Sequence, residues 1–553
     1  MIIYATDFEN TVPKNQEVIS TRVWGCGLCP IGTEFVSLYN DLDTYFQALD
    51  GMDNIVYSHN LAYDGKLILD YLYTHGYSYN PVPRLKKKSF SHLITENGQF
   101  YFIKVKLQSG TQITFRDSLK ILPFKLDKIA EDLKLPRKLK GDIDYTKDRP
   151  DGYIMDEEDR AYLTRDIIIL SKALDFISQY GLLDNLTIGK SCFQQYKQTV
   201  KQYFDTWFPV LDSDTDAYIR KSYKGGWCYL NPKYQDLILS NVFQYDVNSL
   251  YPYEMRTKAF PYGQGIKITD WEDLQSYNNH AWFVRIKVSF HLKDRCFPWI
   301  QTAHDIYSVE DKLVSTSDPI ELTLTKMDLR LLFDTYNIDY FEFLDAIVFE
   351  MKTGMFNTYI DKWFGNKVKS NDNPTLRLVS KLMLNNLGGQ FGKSPVGSIK
   401  TTSYTNQLQF TNVDSSKESV YIPVAAYMTS YARCKTIRTA IANYDDFVYA
   451  DTDSIKSISP ITDIEIDSVK LGAWKDEGTA DTARFVKPKT YIYVKDNKVT
   501  VKASGATDTV INVIKSMANP IQSFTFGLTV HGGLKSKVVS GGVILIPVDF
   551  NII

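Results

Sequence analysis

Several features that would assign the chain to a specialised class of protein are scarce or missing. Six cysteines in 553 residues are too few for a disulfide framework and suit a reducing compartment. The lone CxxC pair, Cys26 and Cys29, has no second pair at zinc-like spacing. No apolar run reaches roughly 18 residues, and no basic segment precedes an apolar core at the start, so neither a membrane span nor a signal peptide is expected.

Neither basic nor acidic residues are in large excess. The 63 basic and 65 acidic side chains leave a formal net charge of -2, which argues against a uniformly basic nucleic-acid coat. An acidic site and a basic channel would still cancel in that sum. Aromatic residues are plentiful instead, with 37 Tyr and 30 Phe. Packing accounts for most of them, although stacking on nucleic-acid bases would use the same side chains.

The order of local patterns indicates several domains and no internal repeats. Strands are predicted at 2–5, 54–58, 100–106 and 112–115 and a helix at 156–177, which indicates an N-terminal α/β domain. Gly225 and Gly226 mark a turn between two domain-like halves. The polar segment 397–420, rich in Thr and Ser, predicts an exposed hairpin.

The segment FVYADTDSI places two aspartates two residues apart beside apolar residues. Asp451 and Asp453 share one face if the segment is extended, or flank a tight turn if Thr452 bends it. A solvated turn is the simpler interpretation. The apolar neighbours favour a buried strand pair, where the two charges need a cation. With Asp246 from FQYDVNSLYP, they would hold Mg²⁺ ions about 3.5–4 Å apart for in-line phosphoryl transfer.

Cations that suit phosphate occur in two further segments. NPTLRLVSKLMLNNLGGQFGKS predicts a helix with Arg377, Lys381 and Asn385 on one face and an apolar stripe on another. Alone, such a face is typical of solvated surface, but beside the acids it would bind the departing phosphates. RFVKPKTYIYV predicts one strand whose basic and aromatic side chains share a face suited to a nucleic-acid backbone. These side chains are Lys487, Lys489, Tyr491 and Tyr493.

The segments DVNSLYP, KLMLNNLGG, YADTDSI and KTY, in this order, resemble the motifs of family B DNA polymerases, in particular of the protein-primed bacteriophage subgroup. The resemblance spans nearly the whole chain. It implies that Asp246, Asp453 and the Val247 carbonyl hold metal beside Asp451, and that Tyr251 excludes a 2′-hydroxyl. The nucleotide contacts that it implies are Lys367, Arg377, Lys381 and Asn385, and the primer-end contacts are Lys489 and Tyr491.

The segments TDFENT, SHNLAYDG and YLTRD resemble the 3′–5′ exonuclease of the same family. Asp7 and Glu9 lie at i and i+2 and therefore share a strand face. Asp64 and Asp166 would complete a second two-metal site that activates water. The resemblance adds Tyr162 as a catalytic residue.

Further DNA contacts follow from the same resemblance. Single-stranded DNA would contact His59, Asn60, Tyr63, Ser118, Leu119 and Phe124, with Lys140 as an assisting cation. The YKGG segment would be the hinge that helps to pass the primer end between the two sites, a plain interdomain turn being the alternative. Its residues are Tyr223, Gly225 and Gly226.

The fold that the resemblance implies is multidomain, α/β and α+β. An RNase H-like (DnaQ-type) exonuclease domain precedes a right-hand polymerase domain with palm, fingers, thumb and two insertions. The predicted boundaries are exonuclease 1–185, palm 186–257 and 422–504, first insertion 258–353, fingers 354–393, second insertion 394–421 and thumb 505–553.

The implied cofactor is Mg²⁺, two ions at each active site, with Mn²⁺ expected to substitute. The implied partners are primer–template and single-stranded DNA, deoxynucleoside triphosphates and a priming terminal protein that the insertions contact. A monomer in the cytoplasm of the bacterial host is expected, with processive, strand-displacing and proofreading synthesis.

One motif departs from the family pattern. Its finger helix normally carries Tyr before the final Gly, where this chain has Gly388, and Asn386 replaces the usual Ser. That Tyr lines the nascent base pair, so the pocket is expected to be wider or filled from elsewhere, with reduced base selectivity. Gly388 and Gly389 would also end the helix early, since each costs about 1 kcal/mol inside a helix.

Other classes of protein explain less of the chain. A stand-alone nuclease would leave the second acid set and the Lys381 helix unused. A reverse transcriptase or RNA polymerase would place adjacent aspartates in its central turn or lack the bulky Tyr251. An inactive DNA-binding or scaffold protein conflicts with the intact acidic positions. Comparing ribonucleotides with deoxyribonucleotides as substrates separates the polymerase alternatives.

Overall fold

The computed structural model describes residues 1–11, 20–81, 84–135, 147, 149–150, 152–301, 312–370, 373–417 and 419–553. No helix within these ranges combines the length and the apolar character needed to cross a membrane.

The N-terminal region is built on an eight-stranded mixed sheet. Its strands are β1 (Ile2–Asn10), β2 (Val23–Pro30), β3 (Ser37–Tyr39), β4 (Asn54–Ser58), β5 (Ser78–Tyr79), β6 (Ser89–Ile94), β7 (Phe100–Lys106) and β8 (Gln112–Asp117). They lie in the order β3-β2-β1-β4-β8-β7-β6-β5, with parallel pairing of β1 with β4 and of β4 with β8. The first strand continues past its predicted end to Asn10 because it pairs with β2 as far as that residue.

Helices pack on this sheet and supply two of the predicted acids. They are α1 (Leu42–Ala48), α2 (Leu61–Thr74), α3 (Leu126–Asp132) and α4 (Glu157–Ser178). The Asp156 side chain caps α4, accepting a 3.0 Å hydrogen bond from the Asp159 backbone. Leu163, Ile167 and Leu170 are buried at helical spacing, which fixes the face that α4 presents to β1 and β2.

Three helices link this region to the second half: α5 (Ile188–Val200), α6 (Phe204–Trp207) and α7 (Ser213–Arg220). Gly225 and Gly226 lie in the irregular link that follows α7. The chain then forms β9 (Cys228–Leu230), β10 (Ile238–Val247) and α8 (Leu250–Thr257).

The next segment forms a separate four-stranded antiparallel sheet. Its elements are β11 (Phe260–Ile268), α9 (Trp271–Ser276), β12 (Ala281–Leu292), β13 (Ile320–Thr325), α10 (Lys326–Thr335) and β14 (Tyr336–Lys352). The strands lie in the order β11-β14-β12-β13.

Two long helices follow, α11 (Asn357–Lys369) and α12 (Pro374–Phe391), and they pack against each other. The expectation that Gly388 and Gly389 end the second helix early is wrong, because α12 continues to Phe391. Gly388 is packed against Met428 and Met255, so tertiary contacts outweigh the low helix propensity of glycine.

The predicted polar hairpin is confirmed as β15 (Val396–Tyr404) and β16 (Leu408–Ser416). It rests on the N-terminal region. The Tyr73 hydroxyl donates to the Thr402 carbonyl at 2.7 Å, and the Glu96 amide donates to the Ser398 carbonyl at 3.1 Å.

A seven-stranded antiparallel sheet forms the centre of the second half. After helix α13 (Ile422–Ala442), its remaining strands are β17 (Phe447–Asp451), β18 (Ser454–Ser457), β19 (Trp474–Lys487), β20 (Thr490–Lys495) and β21 (Lys498–Ala503). The order is β21-β20-β19-β10-β18-β17-β9.

The prediction of a single strand through RFVKPKTYIYV is wrong. Lys487 ends β19 and Thr490 begins β20, and the chain reverses between them. Pro488 has no amide hydrogen for the ladder, and Lys489 adopts a left-handed conformation at φ 60°.

The C-terminal part consists of α14 (Asp508–Ser516), α15 (Pro520–Ser523) and a hairpin of β22 (Thr529–Val539) and β23 (Gly542–Asn551). The hairpin tip returns to the N-terminal region. The Gly541 amide donates to the Asp70 carboxylate at 3.0 Å, and the Asn10 side chain donates to the Val543 carbonyl at 2.9 Å.

A buried ion pair fastens α10 to α13. The Arg433 and Asp328 side chains are 3% and 1% exposed, and their closest N–O distance is 2.7 Å. Asp328→Ala leaves the guanidinium buried without its partner, so we expect the free energy of unfolding in urea to fall by about 3–5 kcal/mol. Asp334→Ala breaks the exposed pair with Arg438 and serves as the control, with a loss below about 1 kcal/mol. Equal losses in the two variants would contradict this account.

Candidate active sites

Four carboxylates from three elements form what we term the N-terminal acidic cluster: Asp7, Glu9, Asp64 and Asp166. The first two lie on one face of β1, Asp64 in the first turn of α2, and Asp166 on α4. The structure therefore brings together the acids that the sequence predicted for this site.

Burial and mutual repulsion both act on the carboxylates of the N-terminal acidic cluster. Burial raises the pKa of Asp7 well above its usual range, and Asp64, Glu9 and Asp166 raise it further. Burial, Asp64 and Asp166 raise the pKa of Glu9 to about 8. Burial raises the pKa of Asp64 to about 7, although a hydrogen bond from the Ser58 hydroxyl opposes that rise. Such a cluster must bind protons or a cation.

The donor chemistry of this cluster fits Mg²⁺. Carboxylate oxygens are the donors that Mg²⁺ prefers, and the ion binds through one or two of them plus waters and substrate phosphates. Among the residues described here, no three His, Cys, Asp or Glu side chains are grouped as around a single metal ion. A metal site that is completed by the phosphate of a bound substrate would agree with the carboxylate donors and with the absence of such a group among the described residues.

The predicted contacts to single-stranded DNA lie beside this cluster. His59 joins two of the others: its Nδ1 lies 2.9 Å from the Ser118 hydroxyl, and its Nε2 lies 2.7 Å from the Phe124 carbonyl. These three residues form one hydrogen-bonded group, in which His59 and Phe124 are partly exposed but Ser118 is fully buried, so a direct DNA contact by Ser118 is not available in this conformation. Lys140 lies outside the described residues.

Asp117 is a buried residue that holds the backbone next to these predicted contacts. The sequence analysis did not identify it. Its carboxylate accepts hydrogen bonds from the backbone amides of Asn60 at 3.1 Å and Leu119 at 3.0 Å, and Asn60 has a left-handed φ of 82°. The signal was a carboxylate at the end of a strand, in FRDSLK. Tyr63 donates to the Asn10 side chain at 2.8 Å, one residue after Glu9.

Tyr162 and Asp166 are one helical turn apart on α4. Burial raises the pKa of Asp166, while hydrogen bonds from Arg165 and Tyr162 oppose that rise. The Arg165 Nε lies 2.9 Å from the Asp166 carboxylate, and its guanidinium lies 4.6 Å from the Tyr162 ring centre. Arg165 thus orients both predicted catalytic side chains, and sequence reasoning did not single it out.

The central acidic cluster comprises Asp246, Asp451 and Asp453. Thr452 has a left-handed φ of 57° and turns the chain between the last two, which confirms the tight-turn alternative. The Val247 amide donates to the Asp453 carbonyl at 2.7 Å. The strands β10, β17 and β18 thereby place the three carboxylates side by side.

The carboxylates of the central acidic cluster differ in whether a lysine neutralises their charge. Burial and, to a smaller extent, the neighbouring Asp246 raise the pKa of Asp453 to about 6. The Lys489 ammonium lies 2.7 and 2.9 Å from the two Asp451 oxygens. The prediction that Mg²⁺ lets Asp451 and Asp453 coexist therefore needs correction, because Lys489 neutralises Asp451. In the described part of the chain, no lysine or arginine forms an ion pair of this kind with Asp246 or Asp453.

Two charged neighbours of Asp246 were missed from the sequence. Burial raises the pKa of Asp246, Glu477 raises it further, and the buried Lys456 opposes the rise. Glu477 comes from β19 and Lys456 from β18, so only the sheet pairing brings them to Asp246.

Three cations gather beside this cluster. Arg377 and Lys381 project with Asn385 from one exposed face of α12, as predicted. Burial and, to a smaller extent, Arg377 and Lys381 lower the pKa of Lys367 on α11 to about 8. The Lys367 ammonium donates to the Ser249 hydroxyl at 3.0 Å. Mutual repulsion of this kind favours a bound anion such as a triphosphate.

The YKGG segment contacts the turn that carries the central acids. Arg433 donates to the Gly225 carbonyl at 2.7 Å. A Cβ on Gly226 would lie 2.5 Å from the Thr452 side chain, so only glycine permits this approach. The Tyr223 ring lies against Gly392 at the end of α12.

Two predicted tyrosines lie near this turn. Burial raises the pKa of Tyr251 to about 12, Arg433 opposes that rise, and Asp453 adds to it. The Tyr491 ring packs 5.4 Å from that of Tyr449 on β17.

Comparisons with known proteins agree with this arrangement. The model of the family described as DNA polymerase type B, organellar and viral, matches residues 51–149 and 134–468. The DNA polymerase of Bacillus phage M2 is 33% identical, covering 100% of this chain and 99% of that protein. The phi29 DNA polymerase of a Bacillus phage, solved with primer–template DNA, superposes with a TM-score of 0.90 at 30% identity and 100% coverage of both chains. Its complex with primer–template and incoming nucleotides gives 0.89 at 31% identity, again with 100% coverage of both chains.

Proposed function

Because the chain belongs to the type B DNA polymerases of organelles and viruses, we propose that it extends a DNA primer at the central acidic cluster and removes mispaired ends at the N-terminal acidic cluster. The observation that carries this proposal is the presence of two carboxylate clusters in one chain, one of them beside three cations. A nuclease alone needs only one such cluster. The phi29 enzyme has been solved with primer–template DNA and with nucleotides, which supports the same ligands here.

Synthesis would use the side chains around Asp453. Asp246, Asp453 and the Val247 carbonyl would hold metal. Bound Mg²⁺ or Mn²⁺ would activate the attacking oxygen and stabilise the charge that develops on phosphorus at both clusters. Lys367, Arg377, Lys381 and Asn385 would orient the triphosphate. The Lys489–Asp451 pair and Tyr491 would hold the primer end.

Excision would use the N-terminal acidic cluster. Asp7, Glu9, Asp64 and Asp166 would hold metal, and Tyr162 would orient the attacking water beside Asp166. Asn60, Tyr63, His59 and Phe124 would keep the last nucleotides unpaired, with the buried Ser118 holding the His59 ring in place. The YKGG segment would guide the primer end between the clusters.

We assign the sheets to the domains of this family. The eight-stranded sheet would be the exonuclease domain (1–185) and the seven-stranded sheet the palm (186–257 and 422–504). The fingers would be 354–393 and the thumb 505–553. The insertions at 258–353 and 394–421 would contact a priming terminal protein and surround the DNA, giving processive, strand-displacing synthesis by a monomer in a bacterial host.

A mispaired primer tests the proposed pairing of activities. With Mg²⁺ and all four deoxynucleotides, a 5′-labelled primer with a mismatched 3′ base should first lose that base and then lengthen. A fully paired primer is the control and should lengthen without prior shortening. Extension of the mismatch without loss would contradict proofreading, and shortening alone would contradict synthesis.

Tyr251 separates a DNA polymerase from an RNA polymerase. Tyr251→Ala removes the bulk that would meet a 2′-hydroxyl, so the preference for deoxynucleotides over ribonucleotides, as a kcat/KM ratio, should fall by roughly 10- to 100-fold. Tyr253→Ala, two residues along the same helix, is the control and should keep the preference. An unchanged ratio in Tyr251→Ala would refute this role.

A further inference from the structure

Gly388 continues the face of α12 that carries the nucleotide contacts. It follows Lys381 by seven residues and Asn385 by three, so the three positions line up along the helix. Lys381 and Asn385 are exposed, whereas Gly388 is buried. The polar face of α12 thus ends where other elements cover it.

The covering side chains are two methionines from different helices. A Cβ on Gly388 would lie 2.7 Å from the Cε of Met428 on α13, closer still to its sulfur, and 3.5 Å from the sulfur of Met255 on α8. Met428 is 3% and Met255 is 1% exposed. Met428 therefore occupies the space that a side chain at position 388 would need, so Gly388 does not leave an open gap at this point.

This contact is connected to Tyr251 through helix α8. Met255 is four residues after Tyr251 on α8, so both lie on one face of that short helix. Tyr251 packs against the same hydrophobic cluster as Met255, Met428 and Leu387. The packing over Gly388 is therefore continuous with the cluster on which Tyr251 lies.

We propose that Met428 is a positioning residue for nucleotide selection. Its thioether, packed with Met255 over Gly388, supplies the buried support that a side chain at 388 would otherwise give, and so holds α8 and Tyr251 against the incoming nucleotide. The inference rests on the proposed polymerase function. An unbranched thioether suits this task because it fills irregular gaps between helices.

The pairing of Gly388 with Met428 predicts non-additive substitutions. Met428→Ala opens a cavity in the cluster on which Tyr251 lies, and the preference for correct over mismatched deoxynucleotides should fall about tenfold. Gly388→Ala forces its new Cβ against Met428 and should also lower the preference. The double variant removes the clash and refills part of the cavity, so its loss should be smaller than the product of the two single losses.

The experiment measures single-nucleotide insertion, correct and mismatched, by proteins that also carry Asp7→Ala to suppress excision. Met428→Leu conserves volume and should retain the preference. Met383→Ala is the control, because Met383 is equally buried on α12 but contacts Cys192 on α5, with 3.5 Å between the sulfur atoms. It should lower stability without changing the preference.

A preference within twofold of the parent in Met428→Ala, or independent effects of the two substitutions, would overturn the inference while leaving the polymerase function intact. An equal loss of preference in Met383→Ala would also overturn it, since any core cavity would then act alike. Failure of the Asp7→Ala parent to extend any primer would overturn both the inference and the proposed function.

Discussion

Replacing Asp453 by Asn is expected to abolish primer extension, by about 1,000-fold or more, while leaving 3′–5′ excision intact. The asparagine keeps the size of the side chain but removes one of the two carboxylates, Asp246 and Asp453, that form no ion pair with a described lysine or arginine. Several kcal/mol of transition-state stabilisation by metal correspond to a loss of this size. Extension and excision would be measured on the same 5′-labelled primer.

The fold should survive this change. The Asp453 backbone makes the contacts that hold the turn, since its carbonyl accepts from Val247 and its amide donates to the Asp451 carbonyl at 2.7 Å. Asp445→Asn is the matched control, because this aspartate is 68% exposed in the loop before β17, and both activities should persist in it. Extension by Asp453→Asn at more than a tenth of the normal rate would contradict the proposed role.

Replacing Asp7 by Ala is expected to have the reverse effect. Excision of single-stranded DNA should fall by about 1,000-fold or more, because the carboxylate whose pKa the other three acids raise is lost. Primer extension should remain. The substitution also removes repulsion within a buried cluster, so the free energy of unfolding should not decrease.

The two variants serve as controls for each other. Asp7 belongs to the eight-stranded sheet and Asp453 to the turn between two strands of the seven-stranded sheet, so each variant should lose one activity only. Loss of both activities in either variant would instead indicate misfolding or a single shared site. Retention of excision in Asp7→Ala would contradict the proposal that the N-terminal acidic cluster carries out excision.

Local patterns predicted the parts of both sites that lie within one element. Asp7 and Glu9 share a face because a strand alternates sides, and Arg377, Lys381 and Asn385 share one because a helix repeats every 3.6 residues. The tight turn at Thr452 was one of two geometries that its sequence allowed. In each case the periodicity of a single segment was sufficient.

Contacts between distant elements were beyond such patterns. Strand pairing alone brings Asp117, Lys456 and Glu477 to the clusters. Lys489 contacts Asp451 because Pro488 interrupts the segment that was predicted to be one strand. Helix α12 continues through Gly388 because the Met428 side chain, from helix α13, packs against it. Tertiary packing decided these positions, and no short segment encodes it.

The fate of one labelled primer end tests the central claim that two acidic clusters act on the same DNA. A 5′-labelled primer on a longer template is incubated with the protein and Mg²⁺, with and without the four deoxynucleotides. We predict lengthening with nucleotides and shortening without them. Shortening under both conditions would contradict the claim, since the central acidic cluster would then contribute no synthesis.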